Sequence, residues 1–345
     1  MLRGRCNTVI GYTQDFMTTS HPPRKPKLLF ITANRVGDAV LATGILAAML
    51  ERMPEAEVMI ACGPYAAGLF RGVPRLRRLY ILNKQKYNRH WLGLWRACIG
   101  TRWDMIVDIR NSAISRLLLS NKRYRYHRSQ GRHKVVENAA IIGQQATPPA
   151  PRLWLTEAAQ DAARTMIPAG KPILALGPAA NWPCKQWPAE RFAALAQKLT
   201  AADGPLPNAM ILVPADTRER EQLQPLFDAF PPERLIPMIG EELTKVAACL
   251  GLADLFIGND SGLMHLAAAM GVPTLGLFGP GYEDIYGPWG QHTAVVRTPE
   301  SREELLARLP HPGAHSPNLM MGLEVDTVVQ AAINLLSRLS VKAPS

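Results

Sequence analysis

The chain contains no Asp-x-Asp pair, so it lacks the carboxylate bracket that commonly holds Mg²⁺ or Mn²⁺ on a nucleotide diphosphate. It also has no G-x-x-x-x-G-K-[ST], no G-x-G-x-x-G after its first predicted strand and no G-x-S-x-G. Nucleotide triphosphate hydrolysis, dinucleotide redox chemistry and serine hydrolysis therefore lose their usual sequence support. No apolar run approaches the roughly 18 residues that would span a bilayer. The longest, Ala39 to Leu50, is interrupted by Thr43 and Gly44. The first 25 residues lack the apolar core of a secretory signal and read as an irregular extension. Cys6, Cys62, Cys98, Cys184 and Cys249 are odd in number, scattered and without a C-x-x-C pair, which points to a reduced, cytoplasmic protein with no structural zinc. Charged residues are few, at 19% against 47% hydrophobic, and that balance excludes a disordered chain.

What charge there is lies unevenly. Residues 1–150 hold 24 Lys and Arg against 8 Asp and Glu, whereas residues 151–345 hold 15 against 20. A basic first half suggests a polyanionic partner: nucleic acid, an anionic membrane face or a phosphorylated substrate. The basic residues cluster at Arg75 to Arg89 and again from Lys122 to Lys134, the second cluster including Arg123, Arg125 and Arg128. Tyr124 and Tyr126 between them would allow base stacking, so RNA binding stands beside a plain solvated face.

With 345 residues the chain exceeds what one core usually reaches, so two domains are expected. The apolar run Lys27 to Ala33, the Gly-bearing loop Asn34 to Asp38 and the helical pattern Ala39 to Arg52 spell strand, loop, helix. The alternation recurs at Glu57 to Phe70 and at Trp103 to Leu119, lapses around Thr147-Pro-Pro-Ala-Pro151, and restarts at Pro172. Strands alternating with helices imply an α/β fold of parallel sheets. We expect an extension over 1–25, a Rossmann-like domain over 26–150, a second over 151–324, and a closing helix in 325–345 that can return to the first domain. Residues 298–322, rich in Pro, Gly and His, read as a long loop.

Ligands of such sheets sit beyond the carboxyl ends of the strands, and three loops there carry chemistry. In Gly258-Asn-Asp260-Ser261-Gly262-Leu-Met-His265 a strand runs through a tight turn into an apolar helix, whose first unpaired N–H groups suit an anion. Alternatively Asp260 or Ser261 caps that helix and His265 is a packed core histidine. Lys185, in a Gly/Pro/Trp loop, is either solvated or a stabiliser of a departing diphosphate. Asp38 is either a helix cap or a general base.

Three of these segments together resemble one family. Arg35-Val-Gly-Asp38-Ala-Val-Leu-Ala-Thr43, Lys185-Gln-Trp187-Pro-Ala-Glu-Arg-Phe192, and Asp260-Ser-Gly-Leu-Met-His265 followed by Gly271-Val-Pro and Phe278-Gly-Pro280 are similar to the motifs of the bacterial heptosyltransferases of glycosyltransferase family 9. The resemblance runs from about residue 27 to 340. It implies a GT-B architecture, with the acceptor bound by the first domain and a nucleotide-sugar donor, ADP-heptose, by the second. It further implies an inverting, metal-independent transfer onto a phosphorylated lipopolysaccharide-core acceptor at the inner membrane's cytoplasmic face, with no cofactor and no nucleic acid. By the same likeness Asp38 is the base and Lys185 neutralises the leaving group. Asp260, Ser261, Gly262 and His265 hold the donor phosphates and Glu219 binds the ribose, while Arg123, Arg125 and Arg128 are the candidate acceptor contacts. The alternatives are transfer from another nucleotide sugar, a nucleotide-sugar 2-epimerase, or an RNA-binding protein on the same fold. The chain departs from the family at Pro310 to Pro317, where many members carry a cysteine, and in its first 25 residues.

Overall fold

A computed structural model describes residues 24–126, 131–309 and 318–340. The first half runs β1 (Lys27–Ile31), α1 (Val36–Arg52), β2 (Glu57–Cys62), β3 (Leu76–Ile81), α2 (Arg89–Cys98), β4 (Trp103–Asp108), α3 (Ile114–Leu117), β5 (Ser120–Arg125) and α4 (Lys134–Ala140). Its sheet is parallel throughout, in the order β3-β2-β1-β4-β5. The second half runs α5 (Glu157–Met166), β6 (Ile173–Gly177), α6 (Ala189–Leu199), β7 (Met210–Ala215), α7 (Gln224–Asp228), β8 (Leu235–Ile239), α8 (Leu243–Leu250), β9 (Leu255–Asn259) and α9 (Gly262–Ala269). It continues with β10 (Thr274–Phe278), α10 (Glu283–Tyr286), β11 (Thr293–Arg297), α11 (Arg302–Ala307) and α12 (Val325–Ser340). This second sheet is also parallel, in the order β11-β10-β9-β6-β7-β8. The expected α/β class with two Rossmann-like sheets is the observed one. In each sheet the strand order reverses at the centre, between β1 and β4 and between β6 and β9, and loops leaving such a pair diverge to open a crevice.

The longest apolar run is explained by what covers it. In α1 every residue from Ala39 to Leu50 is buried, because the helix lies between its own sheet and both α4 and α9. The two residues that interrupt the run face the Pro-rich connection. Thr43 Oγ1 accepts the Arg152 N–H at 2.9 Å, and a methyl group at Gly44 would lie 2.2 Å from the Pro149 carbonyl oxygen. Only a residue without a side chain lets that backbone pass so close.

Several expected boundaries move. Helix α1 begins at Val36, three residues before the expected start, so Asp38 stands in its first turn and is not its cap. The stretch from Arg218 to Ala229, whose pattern reads in sequence as one helix, breaks into turns at Thr217–Glu219 and Glu221–Leu223 followed by the short α7, in whose first turn Pro225 has no N–H to donate. The expected loop 298–322 contains α11, started by a capping box in which Ser301 accepts from the Glu304 N–H and Glu304 from the Ser301 N–H. Helix α12 packs on α6, β10 and β11, not on the first sheet. Its approach is set at Leu323, whose carbonyl accepts from Trp187 Nε1 at 2.8 Å, and Val328, Ala332 and Leu335 then bury against the second core. The extension, apart from Arg24 and Lys25, and residues 310–317 lie outside the described residues.

The two basic clusters fall on opposite edges of the first sheet. Arg77 and Arg78 are on β3, and Lys122, Arg123 and Arg125 on β5, where charge protects an edge strand from pairing with other chains. Tyr124 packs against the core, and Tyr126 hydrogen-bonds Glu137, so neither ring is free to stack on a base. No helix among the described residues is long and apolar enough to cross a membrane.

Candidate functional site

A cleft of about 750 Å³ opens where the carboxyl ends of the two sheets meet. Arg35 from the loop after β1 and Gly37 and Asp38 from the first turn of α1 line it, with Lys185 from the loop after β6, Asp216 and Glu219 from beyond β7, and Asp260 to Leu263 with His265 from beyond β9. The strand-order reversal thus delivers all three motif loops to one space.

Lys185 is placed by its neighbour. Trp187 is 1% exposed, donates its ring N–H to Leu323, and gives its backbone N–H to Asn259 Oδ1 at 3.1 Å. Asn259, at the end of β9, in turn donates to the Pro178 carbonyl at 2.6 Å. This ties the β6 and β9 loops together and brings Lys185 onto Asp260 in an ion pair with side-chain exposures of 23% and 9%. Burial holds the Asp260 carboxyl above the ordinary carboxylate range, against the opposing pull of Lys185.

Neither Asp260 nor Ser261 caps α9. The Asp260 carboxylate is taken by Lys185, and Ser261, although at the cap position, makes no side-chain cap bond and leaves its Oγ without a partner among the described residues. The open N–H groups of that helix therefore face the cleft. They meet a second helix start, because a methyl group at Gly262 would lie 3.0 Å from Val36 Cβ and 3.2 Å from the Gly37 nitrogen. His265 is buried against Gly37, and burial, with His133 and Lys185 nearby, pushes its pKa down to about 3. Burial therefore favours its neutral imidazole form, and of the two readings the spacing left open the packed histidine describes its surroundings here. Its Nδ1 has no hydrogen-bond partner among the described residues.

Asp38 belongs to a half-buried cluster that the sequence reading did not assemble. Burial raises its pKa above the usual carboxylate range, while Lys134 and then Arg35 pull it down. Lys134 sits at the start of α4, pairs with Glu137 at 2.6 Å and stands 4.5 Å from the centre of the Tyr126 ring. Tyr286, from the second half, faces the same group: burial and then the Asp38 charge raise its phenol. His133 clasps the halves here, its Nε2 3.0 Å from the Gly287 carbonyl oxygen and its ring 4.7 Å from Trp289. Lys134 was legible only as one of a run of cations. Tyr286 carried no local signal at all.

Glu219 reaches the cleft but spends one oxygen on its own turn, accepting the Asp216 N–H at 2.8 Å. Burial raises its pKa. Arg123 and Arg125 do not line the cleft: they belong to the edge strand β5, and Arg123 donates to the Leu118 carbonyl. Arg128 lies outside the described residues.

A carboxylate on one wall, a Lys–Asp pair and a helix start on the other can deprotonate a hydroxyl and hold negative charge that develops across from it. Residues 96–308 match the family described as glycosyltransferase family 9 (heptosyltransferase), well over half of the chain. The chain belongs to this family. It is therefore a glycosyltransferase. Lipooligosaccharide heptosyltransferase 2 of Campylobacter jejuni is 25% identical to it over 76% of this chain and 84% of that protein. Lipopolysaccharide heptosyltransferase 2 of Salmonella typhimurium is 21% identical over 79% of this chain and 88% of its own. Among solved structures, the family 9 glycosyltransferase from Veillonella parvula superposes with a TM-score of 0.73 at 20% identity, covering 91% of this chain and 97% of that one. The E. coli ADP-heptose LPS heptosyltransferase II gives 0.70 at 18% identity, covering 91% and 99%. At these identities the superpositions establish the shared fold, and the family match establishes the class of reaction.

For this glycosyltransferase the contact between helix starts makes a test of packing. A methyl group at Gly37 would lie 2.9 Å from Cδ2 of His265, so Gly37→Ala is expected to cost about 1–3 kcal/mol by overpacking. The same substitution in a His265→Ala background should cost far less when both are measured by denaturant unfolding. Equal costs would mean that the ring is not what Gly37 accommodates.

Proposed function

We propose that this glycosyltransferase moves heptose from ADP-heptose to a phosphorylated lipopolysaccharide-core acceptor, by direct displacement with inversion and without a metal ion, at the cytoplasmic face of the inner membrane. The observation that carries the reading is that Asp38 from one sheet and the Lys185–Asp260 pair with the start of α9 from the other line a single cleft. In this reading Asp38 takes the proton of an acceptor hydroxyl as its oxygen attacks the anomeric carbon, and the bond to the diphosphate breaks. Lys185 and the N–H groups from Ser261 and Gly262 hold the charge that collects on the departing ADP. Neutral His265 accepts or donates one hydrogen bond beside them, and Glu219 keeps an oxygen for a ribose hydroxyl. The heptose donor is supported by the relatives, which are heptosyltransferases and include the E. coli ADP-heptose LPS heptosyltransferase II.

The test is thermal unfolding with ADP, UDP, GDP and ADP-heptose, followed by transfer assays with EDTA. A ligand that binds only the folded chain at about 100 times its Kd adds about 2.7 kcal/mol of apparent stability. ADP and ADP-heptose should raise the melting temperature well beyond UDP and GDP, and transfer should persist in EDTA. Preference for another nucleotide would reassign the donor, and strict dependence on added Mg²⁺ would overturn the metal-free step.

A further inference from the structure

We propose that the layer formed by α2 and α3, with the loop that precedes α2, is the face on which this protein docks to an anionic lipid bilayer. Among the described residues, twelve large hydrophobic side chains are exposed, and six of them, Ile81, Tyr87, Leu92, Ile99, Leu117 and Leu119, fall within one stretch of 39 residues. Tyr87 is 95% exposed and its backbone holds φ 55°, a left-handed conformation uncommon for a bulky residue. Scattered single apolar residues need no explanation, but a concentration of this kind does.

Cations are interleaved with them. Lys84, Lys86, Arg89, Arg96 and Arg116 are all exposed on the same loop and two helices. Between Glu57 and Asp104 the sequence has no Asp or Glu at all. The two carboxylates that follow are occupied: Asp104 pairs with Arg24 at 2.8 Å, and Asp108 is fully buried, accepting from Ser112 N and Oγ. Apolar and aromatic side chains set among lysines and arginines, with no free carboxylate, match the headgroup and upper acyl region of a negatively charged leaflet. A globular protein partner would be met by a patch less uniformly basic.

The face adjoins the cleft. Arg110 lies 4.9 Å over the Trp91 ring of α2 and donates to Asn34 Oδ1 at 2.9 Å, joining the start of α2 to the loop between β1 and the first turn of α1, which holds Asp38. A bilayer on this face thus brings a lipid-anchored acceptor to the Asp38 side. That link rests on the glycolipid acceptor proposed above, whereas the docking itself does not.

Flotation with vesicles free of acceptor keeps the two apart. The full chain should float with vesicles containing about a third phosphatidylglycerol, remain in solution with pure phosphatidylcholine, and be released by salt. Each surface cation contributes about a five-fold factor, so Lys84→Gln, Lys86→Gln and Arg89→Gln combined should lower partitioning by at least about ten-fold. Tyr87→Ser with Leu92→Ser should lower it several-fold at low salt, while Lys171→Gln with Lys198→Gln, exposed lysines of the second half, should leave it within about two-fold. All of these side chains are at the surface, and unchanged melting temperatures confirm folding. Equal loss in the second-half lysine variant would show that net charge alone binds, and equal flotation with neutral vesicles, or none with anionic ones, would overturn the proposal.

Discussion

Asp38→Asn is expected to lower turnover by roughly 10² to 10⁴ while leaving the ADP-induced thermal shift unchanged, because Asn keeps the shape of the side chain and cannot accept the proton. Stability should stay within about 1 kcal/mol, the scale of one acidic residue in a first helical turn. No side chain caps α1, so loss of a cap cannot account for the fall. The pH dependence has a definite sign. Asp38 acts as a base only when ionised, and burial raises its pKa, so the acidic limb of kcat lies above the pH of an ordinary carboxylate and the rate falls as pH drops through it. The charged and titratable groups that face it are Arg35 just before α1, Lys134 with its partner Glu137 on α4, and Tyr286 on α10. Lys134→Met removes the larger of its two favourable charges and should move that limb to higher pH, and Lys134→Arg should move it back. An Asp38→Asn protein that folds, binds ADP and transfers at near the parent rate would remove Asp38 from the chemistry.

The second large effect is expected from Lys185→Ala. One charge-assisted hydrogen bond is worth about 1.5–3 kcal/mol, so donor affinity and turnover should each fall by about ten-fold or more. The fold pays separately, since the substitution strands Asp260, whose side chain is 9% exposed. Breaking a fully buried pair costs about 3–5 kcal/mol, and here a smaller loss, about 2 kcal/mol, is expected because Lys185 is partly exposed and Asp260 can take up a proton. Adding Asp260→Asn removes the stranded charge. The double variant should therefore recover stability in denaturant unfolding and not recover turnover. If turnover returns with stability, Lys185 serves only to neutralise Asp260, and the leaving group's charge is met elsewhere.

Local pattern made much of this protein legible. The helix Gly262–Ala269 and the strand Thr274–Phe278 follow from an apolar run bounded by Gly and Pro, and Asp38, Lys185 and Asp260 stand out because each follows a predicted strand. The Ser301-x-x-Glu304 signal of α11 was equally local, and it was obscured by the Pro and His that follow it. The basic run over β5 could not be placed from sequence, because charge on an edge strand reads there like charge in a binding groove, and strand order is not a local property.

The sequence by itself determined the α/β class, the two sheets and the three loops that carry polar residues, since alternation of apolar runs and Gly turns depends on neighbours a few positions away. Only the tertiary structure decided what those residues are chemically. Lys185 and Asp260 are 75 positions apart and become one ion pair because Trp187 and Asn259 lock their loops together. Burial under α1 holds the pKa of His265 down, and Asp38 meets Lys134 because α4 packs beside α1. Ionisation depends on desolvation and on charges brought close by folding, and neither is set until elements distant in the chain pack together.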